Sequence, residues 1–176
     1  MVMRIYLLGY MASGKSRLGK HLALKLGFTF IDIDTVFEER FRISIPDFFE
    51  KYDEAAFRQI ERLLLLETTR EDNVVVSTGG GTPCFFDNLH IIKKAGFSVY
   101  LQWEIPALVE RLRQAKRKRP LLKDIHEKHL ENKIRDHLGE RNVFYSQADL
   151  TVKADNESLE NIIEQIVGRL KRLSAD

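Results

Sequence analysis

The chain has 176 residues, of which 44% are hydrophobic and 31% are charged, and its formal net charge is +2. This composition predicts one folded domain with a sizeable core and excludes a disordered chain or an integral membrane protein. The nearly balanced charge offers no basis for binding nucleic acid or a membrane surface. Cys84 is the only cysteine, which excludes an internal disulfide and a cysteine-based zinc site. The short apolar N-terminal run does not read as a signal peptide, so we expect a cytoplasmic protein.

A segment near the N-terminus, Gly9 to Ser16, has the spacing G-x-x-x-x-G-K-[ST]. A buried-type strand from Arg4 to Leu8 precedes it, and leucines follow it at helical spacing. A loop between a strand and a helix directs backbone N–H groups and the positive helix N-terminus toward phosphate oxygens. The spacing therefore predicts a nucleoside triphosphate site in which Lys15 reaches the β- and γ-phosphates and the Ser16 hydroxyl holds Mg²⁺.

Two carboxylates follow the second predicted strand, residues 28–31, which begins after the first helix ends at Gly27. Asp32 and Asp34 would then lie at the carboxyl edge of a parallel sheet, where α/β proteins bind ligands. Strand geometry predicts that both side chains point to the same side. The structural alternative is that Asp34 caps a helix beginning at Thr35. We favour a functional role for the pair because loops at strand ends commonly carry the chemistry.

Residues 35–70 are predicted to be mostly helical, with a break at Ile45 and Pro46. Asp53 then opens a long amphipathic helix. The predicted apolar face of that helix contains Phe57, Ile60, Leu63 and Leu64. Arg58 and Glu61 lie three positions apart on it and are therefore neighbours on the helix surface. From spacing alone, an ordinary ion pair is the favoured interpretation of these two residues.

Three consecutive glycines, Gly79, Gly80 and Gly81, follow a short apolar strand at residues 74–76. Such a run costs chain entropy and supplies no side chain for packing. It therefore predicts a place where the backbone must approach another group closely. The alternative interpretation is a merely flexible turn.

The second half of the chain contains a strand at residues 97–101, a helix from Pro106 through Leu112, and a basic segment at residues 116–122. This basic segment can be a solvated face, a nucleic-acid patch, or a mobile lid that brings an arginine to the transferred phosphoryl group. A charged helix at about 126–147 follows and includes Arg141 and Tyr145, and an edge strand at 150–152 and a final amphipathic helix complete the chain. Five strands that alternate with helices predict an α/β fold with a parallel sheet covered on both faces.

Together these segments resemble the shikimate kinase family, P-loop proteins of the nucleoside monophosphate kinase-like group. The resemblance covers nearly the whole chain, and its motifs are Gly9 to Ser16, Asp32-Ile33-Asp34, Phe57-Arg58-xx-Glu61, Gly79-Gly80-Gly81, Arg119-Pro120-Leu121-Leu122 and Arg141-xxx-Tyr145. It implies a three-layer α/β/α fold with a central five-stranded parallel sheet. It also implies that ATP phosphorylates the 3-hydroxyl of shikimate, giving 3-phosphoshikimate and ADP for chorismate and aromatic amino acid biosynthesis. We expect one domain over residues 1–176, working as a monomer, with an acceptor-binding helical region at about 33–61 and a lid at about 113–125.

The resemblance also implies roles for individual residues. The implied catalytic residues are Lys15, Asp34 and Arg119, and the implied shikimate ligands are Asp34, Arg58, Gly79, Gly80, Gly81 and Arg141. The implied ATP ligands are Ala12, Ser13, Gly14, Lys15, Ser16, Arg17 and Arg119, and the implied Mg²⁺ ligands are Ser16 and Asp32. Planar guanidinium groups suit the carboxylate of shikimate, and Asp34 is the candidate base for its attacking hydroxyl.

Some positions depart from the family pattern. Ala12 stands where glycine is common, and Arg17 stands where threonine is common. The register with the family pattern around Arg111 and Arg113 also leaves open which of the two lies by the adenine of ATP.

Other functions share parts of this pattern. A gluconate kinase-like enzyme would have the same ATP half, and Arg58, residues 79–81 and Arg141 distinguish the acceptor half from it. A nucleoside monophosphate kinase would need several arginines around an acceptor phosphate. A nucleotide-dependent switch or a nucleic-acid-binding module would use the basic run at 116–119, but the chain lacks an Asn-Lys-x-Asp guanine signature and a broad basic surface.

Overall fold

The structure is a computed structural model that describes residues 3–115 and 127–173. Its strands are β1 (Arg4–Leu8), β2 (Thr29–Asp32), β3 (Val74–Ser77), β4 (Phe97–Gln102) and β5 (Leu150–Lys153). Its helices are α1 (Lys15–Leu26), α2 (Ile33–Phe41), α3 (Ile45–Lys51), α4 (Glu54–Thr68), α5 (Asn88–Ala95), α6 (Ile105–Gln114), α7 (Glu127–Tyr145) and α8 (Leu159–Leu173). A single 3₁₀ turn, Thr82–Cys84, connects the triple glycine to α5.

The strands form one parallel sheet in the order β2-β3-β1-β4-β5. This order places β1 at the centre of the sheet. β1 leads into the segment at residues 9–16, which we call the nucleotide loop. The start of α2 and the triple glycine follow β2 and β3, which both lie on the same side of β1. Alternate residues of β1 enter opposite layers of the core: Ile5 and Leu7 pack with α1 and α8, whereas Tyr6 and Leu8 pack with α2, α4 and α5. The predicted three-layer α/β/α fold with five parallel strands is confirmed.

The helix ends agree with local sequence chemistry. Gly27 adopts a left-handed conformation (φ 71°) at the end of α1, and Asp53 caps α4 by accepting a hydrogen bond from the backbone N–H of Ala56 at 2.7 Å. Pro46 stands in the first turn of α3, where a missing N–H is harmless. The expected apolar face of α4 is wrong at Leu63, which is 60% exposed, because the inward stripe of this helix also contains Arg58 and Glu61.

Within the described ranges, none of the helices has both the length and the hydropathy that a membrane-spanning segment requires. The basic segment at 116–122, including Arg119, and most of the expected lid at 113–125 lie outside the described residues.

Candidate functional site

The loop between β1 and α1 is shaped to surround an anion. Gly9 (φ 143°) and Gly14 (φ 95°) adopt backbone conformations that disfavour a side chain, and Gly14 directly precedes the first residue of α1. The Lys15 ammonium is buried in this loop and donates to the carbonyls of Gly9 and Tyr10 at 2.8 and 2.9 Å and to the Ser13 hydroxyl at 3.3 Å. A cation held beside a helix N-terminus creates a positive site of the kind that binds phosphate.

One of the two departures from the family pattern, Ala12, has a structural consequence. Ala12 adopts a left-handed backbone conformation (φ 61°), which a glycine would adopt without strain. Its carbonyl accepts a hydrogen bond from the Arg111 guanidinium at 2.7 Å. The bend at Ala12 is therefore held by a contact from α6.

A hydroxyl and a carboxylate meet at the mouth of the loop. The Ser16 hydroxyl donates to Asp32 Oδ2 at 2.5 Å, while Asp32 Oδ1 accepts from the backbone N–H of Thr35 at 3.2 Å. Asp32 is thus the cap of α2, and the structural alternative in which Asp34 caps a helix beginning at Thr35 is wrong, because the helix begins two residues earlier, at Ile33. The period-two argument also fails for Asp34, since this residue lies in the first turn of a helix.

The two carboxylates nevertheless share one cavity with the loop. This cavity has a volume of about 280 Å³, and its lining includes Ala12, Gly14, Lys15, Ser16, Arg17, Asp32, Asp34 and Gly80. Among the described residues, His, Cys, Asp and Glu side chains form no cluster of three or more that could hold a metal ion. A cation here would need most of its ligands from phosphate and water, which is how Mg²⁺ is commonly bound in phosphoryl-transfer sites.

The turn at Gly79–Gly81 is closely packed, and neighbouring atoms leave no room for a Cβ on two of its three glycines. A Cβ on Gly79 would lie 2.5 Å from Glu61 Oε1 and 3.2 Å from Asp34 Oδ1, and a Cβ on Gly81 would lie 2.6 Å from an Arg58 nitrogen. A Cβ on Gly80 would meet the backbone nitrogen of Met11 at 3.1 Å and an Arg141 nitrogen at 3.6 Å. The three glycines therefore bring Asp34, Arg58, Arg141 and the nucleotide loop together around one turn.

The pair Arg58 and Glu61 differs from an ordinary surface ion pair. Both side chains are buried, with Glu61 only 1% exposed, and Arg58 Nη1 donates to Glu61 Oε2 at 2.8 Å. Burial lowers the pKa of Arg58, but the carboxylates of Glu61 and Glu54 outweigh that effect and leave the pKa raised. Thr82, which sequence reasoning missed, donates to Glu61 Oε1 at 2.6 Å. The guanidinium also lies 4.2 Å from the centre of the Phe85 ring, so it is fixed from several sides.

Arg141 reaches the same turn from α7. It is buried, and its guanidinium carbon lies 5.5 Å from the centre of the Tyr10 ring. In the part of the chain that the structure describes, no carboxylate forms an ion pair with it. One turn further along α7, the fully buried hydroxyl of Tyr145 donates to the carbonyl of Gly80. The motif Arg141-xxx-Tyr145 therefore places a cation and a buried hydrogen-bond donor on the glycine turn.

A second, smaller cavity adjoins the other side of the nucleotide loop and is lined by Ser13, Arg17, Trp103 and Arg111, among others. The Trp103 indole donates to the carbonyl of Ser13 at 2.9 Å, and the Arg111 guanidinium lies 4.2 Å from the centre of the Trp103 ring. Burial, and secondarily the charge of Arg17, lower the pKa of Arg111. Trp103 was not predicted as a site residue; its position at the carboxyl end of β4 was the available signal.

The comparisons with known proteins agree on one family. The family model "Shikimate kinase" matches residues 11–171. A shikimate kinase of Phocaeicola vulgatus is 42% identical over 169 residues, which are 96% of this chain and 97% of that protein. The crystal structure of shikimate kinase from Bacteroides thetaiotaomicron has 38% identity and a TM-score of 0.90, covering 97% of this chain and 99% of that chain. A shikimate kinase from Acinetobacter baumannii in complex with shikimate has 32% identity and a TM-score of 0.92, covering 100% of this chain and 97% of that chain.

The match therefore extends to nearly the full length of both the chain and its relatives, at identities that indicate common function as well as common fold. The alternatives of a gluconate kinase-like enzyme, a nucleoside monophosphate kinase and a nucleic-acid-binding module are set aside. The chain belongs to the shikimate kinase family and is a small-molecule kinase.

Proposed function

We propose that this chain transfers the γ-phosphoryl group of ATP to the 3-hydroxyl of shikimate in the cleft between the nucleotide loop and the Gly79–Gly81 turn. The supporting observation is the meeting of Asp34, Arg58, Arg141 and the backbone of the loop around three glycines, of which Gly79 and Gly81 leave no room for a Cβ and Gly80 is tightly enclosed. A small polar acid placed there would contact cationic and anionic groups at once. The products are 3-phosphoshikimate and ADP.

In the acceptor half, Arg141 and Arg58 hold the carboxylate of shikimate. Arg141 has the ring of Tyr10 behind it and is available to an incoming carboxylate, whereas Arg58 is already oriented by Glu61 and Glu54. A guanidinium that is fixed in advance loses little conformational entropy when it binds a carboxylate. Asp34, beside Gly79, accepts hydrogen bonds from the hydroxyls and takes the proton of the attacking one.

In the nucleotide half, Lys15 exchanges its contacts with the loop carbonyls for the β- and γ-phosphates. Ser16 and Asp32 fit Mg²⁺ because they bring a hydroxyl and a carboxylate, oxygen donors of the kind that Mg²⁺ prefers, together at the loop. Bound there, the ion would neutralise charge on the phosphates. The 3-hydroxyl oxygen forms the new bond to phosphorus as the bond to the ADP oxygen breaks, while Lys15 stabilises the charge that develops. Arg119, outside the described residues, is proposed to act with it.

The base of ATP is proposed to lie by Arg111. Of the two candidates, Arg111 contacts the loop through Ala12 and lines the cavity that adjoins Ser13 and Arg17. Its guanidinium already lies against the Trp103 ring, so a planar base extends an existing stack. Arg17 contributes positive charge to the same cavity, in keeping with its proposed place among the ATP ligands.

The remaining features of the proposal concern the whole chain. Residues 1–176 form one kinase domain in which 33–61 contribute to the acceptor side and 113–125 form a lid. The enzyme is further proposed to work as a cytoplasmic monomer. Neither nucleic acid nor a membrane is needed for its activity.

The proposal is tested by ADP release from ATP and Mg²⁺ with shikimate, gluconate, AMP or no acceptor. We expect release with shikimate only, and phosphorus NMR should place the new phosphate on the 3-hydroxyl. Release with gluconate or AMP instead would overturn the acceptor assignment.

Two variants test whether Arg58 and Arg141 bind the carboxylate of shikimate. Arg58→Lys and Arg141→Lys should each raise the KM for shikimate by roughly 10-fold or more, because a lysine cannot make a bidentate contact. Arg135→Lys serves as the control, since Arg135 lies on α7 but is exposed and pairs only with Glu131 among the described residues. An unchanged KM for shikimate in both test variants would refute the proposed binding of the carboxylate by these two arginines.

A further inference from the structure

Tyr10 lies in the nucleotide loop, and its side chain is buried against two helices, α6 and α7. The residue is only 1% exposed, and its ring packs against Leu108 and Val109 of α6 and Ile134 of α7. A loop that needed only to surround phosphate would not require a large buried side chain at this position. The ring therefore packs the loop against the two helices.

The hydroxyl of Tyr10 makes a specific contact with α7. It lies 3.0 Å from His137 Nδ1, and either atom can donate according to the tautomer of the imidazole. Burial raises the pKa of Tyr10 to about 12, so the hydroxyl stays protonated at neutral pH. His137 and Arg141 are four residues apart on α7, hence on one face of the helix, and Arg141 lies over the same Tyr10 ring.

The backbone of Tyr10 contacts the other parts of the site. Its carbonyl accepts a hydrogen bond from Lys15 Nζ at 2.9 Å. Its carbonyl carbon and the nitrogen of Met11 lie 3.6 and 3.1 Å from where a Cβ of Gly80 would stand. One residue thus contacts the phosphate-binding lysine, the glycine turn, and the helix that carries the acceptor-site arginine.

We propose that Tyr10, through its hydrogen bond to His137, is a positioning residue that couples the nucleotide half of the site to the acceptor half. When phosphate draws Lys15 away from the Tyr10 carbonyl, the loop settles around the nucleotide, and the Tyr10 side chain transmits that position to α7 and Arg141. Bound nucleotide then increases the affinity for shikimate, and by thermodynamic linkage bound shikimate increases the affinity for nucleotide by the same factor. This inference rests on the proposed function.

The test is calorimetric titration of shikimate into the full-length enzyme with and without a saturating non-hydrolysable ATP analogue and Mg²⁺. In the native enzyme we expect the analogue to lower the Kd of shikimate by roughly 5-fold or more, a typical size for coupling between sites. Tyr10→Phe keeps the ring and removes the hydroxyl. The coupling factor is the ratio of the Kd of shikimate without the analogue to its Kd with the analogue. Tyr10→Phe should reduce the coupling factor to about 2-fold or less, and it should change the Kd of shikimate alone by less than about 2-fold.

Two further variants separate coupling from general stability. Tyr6→Phe removes another buried hydroxyl, which is bonded to Thr68 of α4 at 3.2 Å and lies outside the cluster that surrounds Tyr10, so it should lower the melting temperature without changing the coupling factor. His137→Leu removes the partner of Tyr10 and should reproduce the effect of Tyr10→Phe. The double variant should be no worse than either single one, since both remove the same hydrogen bond.

The outcomes distinguish this inference from the function on which it rests. A native enzyme that does not turn over shikimate contradicts the proposed function. An active native enzyme with a coupling factor near one, or a factor that survives both Tyr10→Phe and His137→Leu, overturns the role of Tyr10 and leaves the function intact. If Tyr10→Phe fails to fold, His137→Leu decides the question from the more accessible partner.

Discussion

Removal of the Glu61 carboxylate should destabilise the enzyme far more than removal of a surface carboxylate on the same helix. In Glu61→Ala, Arg58 remains buried and keeps only Glu54, whose side chain is 42% exposed, as an ion-pair partner within the described chain. Thr82 also loses its acceptor. Breaking a buried pair from one side costs about 3–5 kcal/mol, because an uncompensated charge is left behind.

For a chain of this length, each kcal/mol shifts the melting temperature by about 2–4 °C. Thermal unfolding followed by circular dichroism should therefore show a decrease of roughly 6–20 °C for Glu61→Ala. The control is Glu67→Ala on the same helix, which breaks an exposed pair with Arg40 and should cost about 0–1 kcal/mol. The two variants thus differ mainly in whether the carboxylate that is removed is buried or exposed.

A double variant makes the reasoning stricter. Arg58→Met with Glu61→Leu removes both charges, and replacing a buried pair with apolar side chains is often neutral or stabilising. It should recover most of the lost stability while shikimate turnover stays low, since Arg58 is gone. A Glu61→Ala melting temperature equal to that of Glu67→Ala, or a double variant no more stable than Glu61→Ala, would refute the argument.

Three further predictions concern backbone strain and pH. Ala12→Gly should stabilise the fold by about 0.5–1 kcal/mol in urea unfolding, because the left-handed strain it relieves, roughly 1–2 kcal/mol, exceeds the entropy that glycine costs; a destabilised variant would contradict this. Gly168→Ala in α8 should also stabilise by about 0.5–1 kcal/mol, since nothing lies within 4 Å of the added Cβ, and a loss of stability would show that the position is more crowded. Burial, then the charges of Arg141 and Lys133, lower the pKa of His137, so the neutral imidazole is favoured in the fold. Stability should therefore fall as pH falls from about 6.5 through that lowered pKa, and His137→Gln should weaken this pH dependence of the melting temperature.

Local patterns in the sequence were sufficient for the five strands, for most of the helices and for the nucleotide loop, but they did not predict α5 (Asn88–Ala95). The spacing of Gly9 to Ser16 specifies backbone geometry and cation position within one continuous segment, so no distant contact is needed to interpret it. The same holds for the five strands and the end of α1 at Gly27, because hydrophobic periodicity and turn chemistry act over a few residues. The triple glycine at 79–81 also predicted a point of close approach. The sequence did not show which groups approach it.

What the sequence determined by itself was therefore the positions of the five strands, the parallel α/β class and the loop at residues 9–16. Only the tertiary structure decided that Glu61 is a buried partner of Arg58, that Asp32 and not Asp34 caps α2, and that Trp103 and Tyr10 fasten the loop to distant elements. Residues three apart on a helix form the same local pair whether that face meets solvent or the core. The strand order, which brings α4, the glycine turn and α7 to one edge of the sheet, supplies the burial that gives those residues their roles.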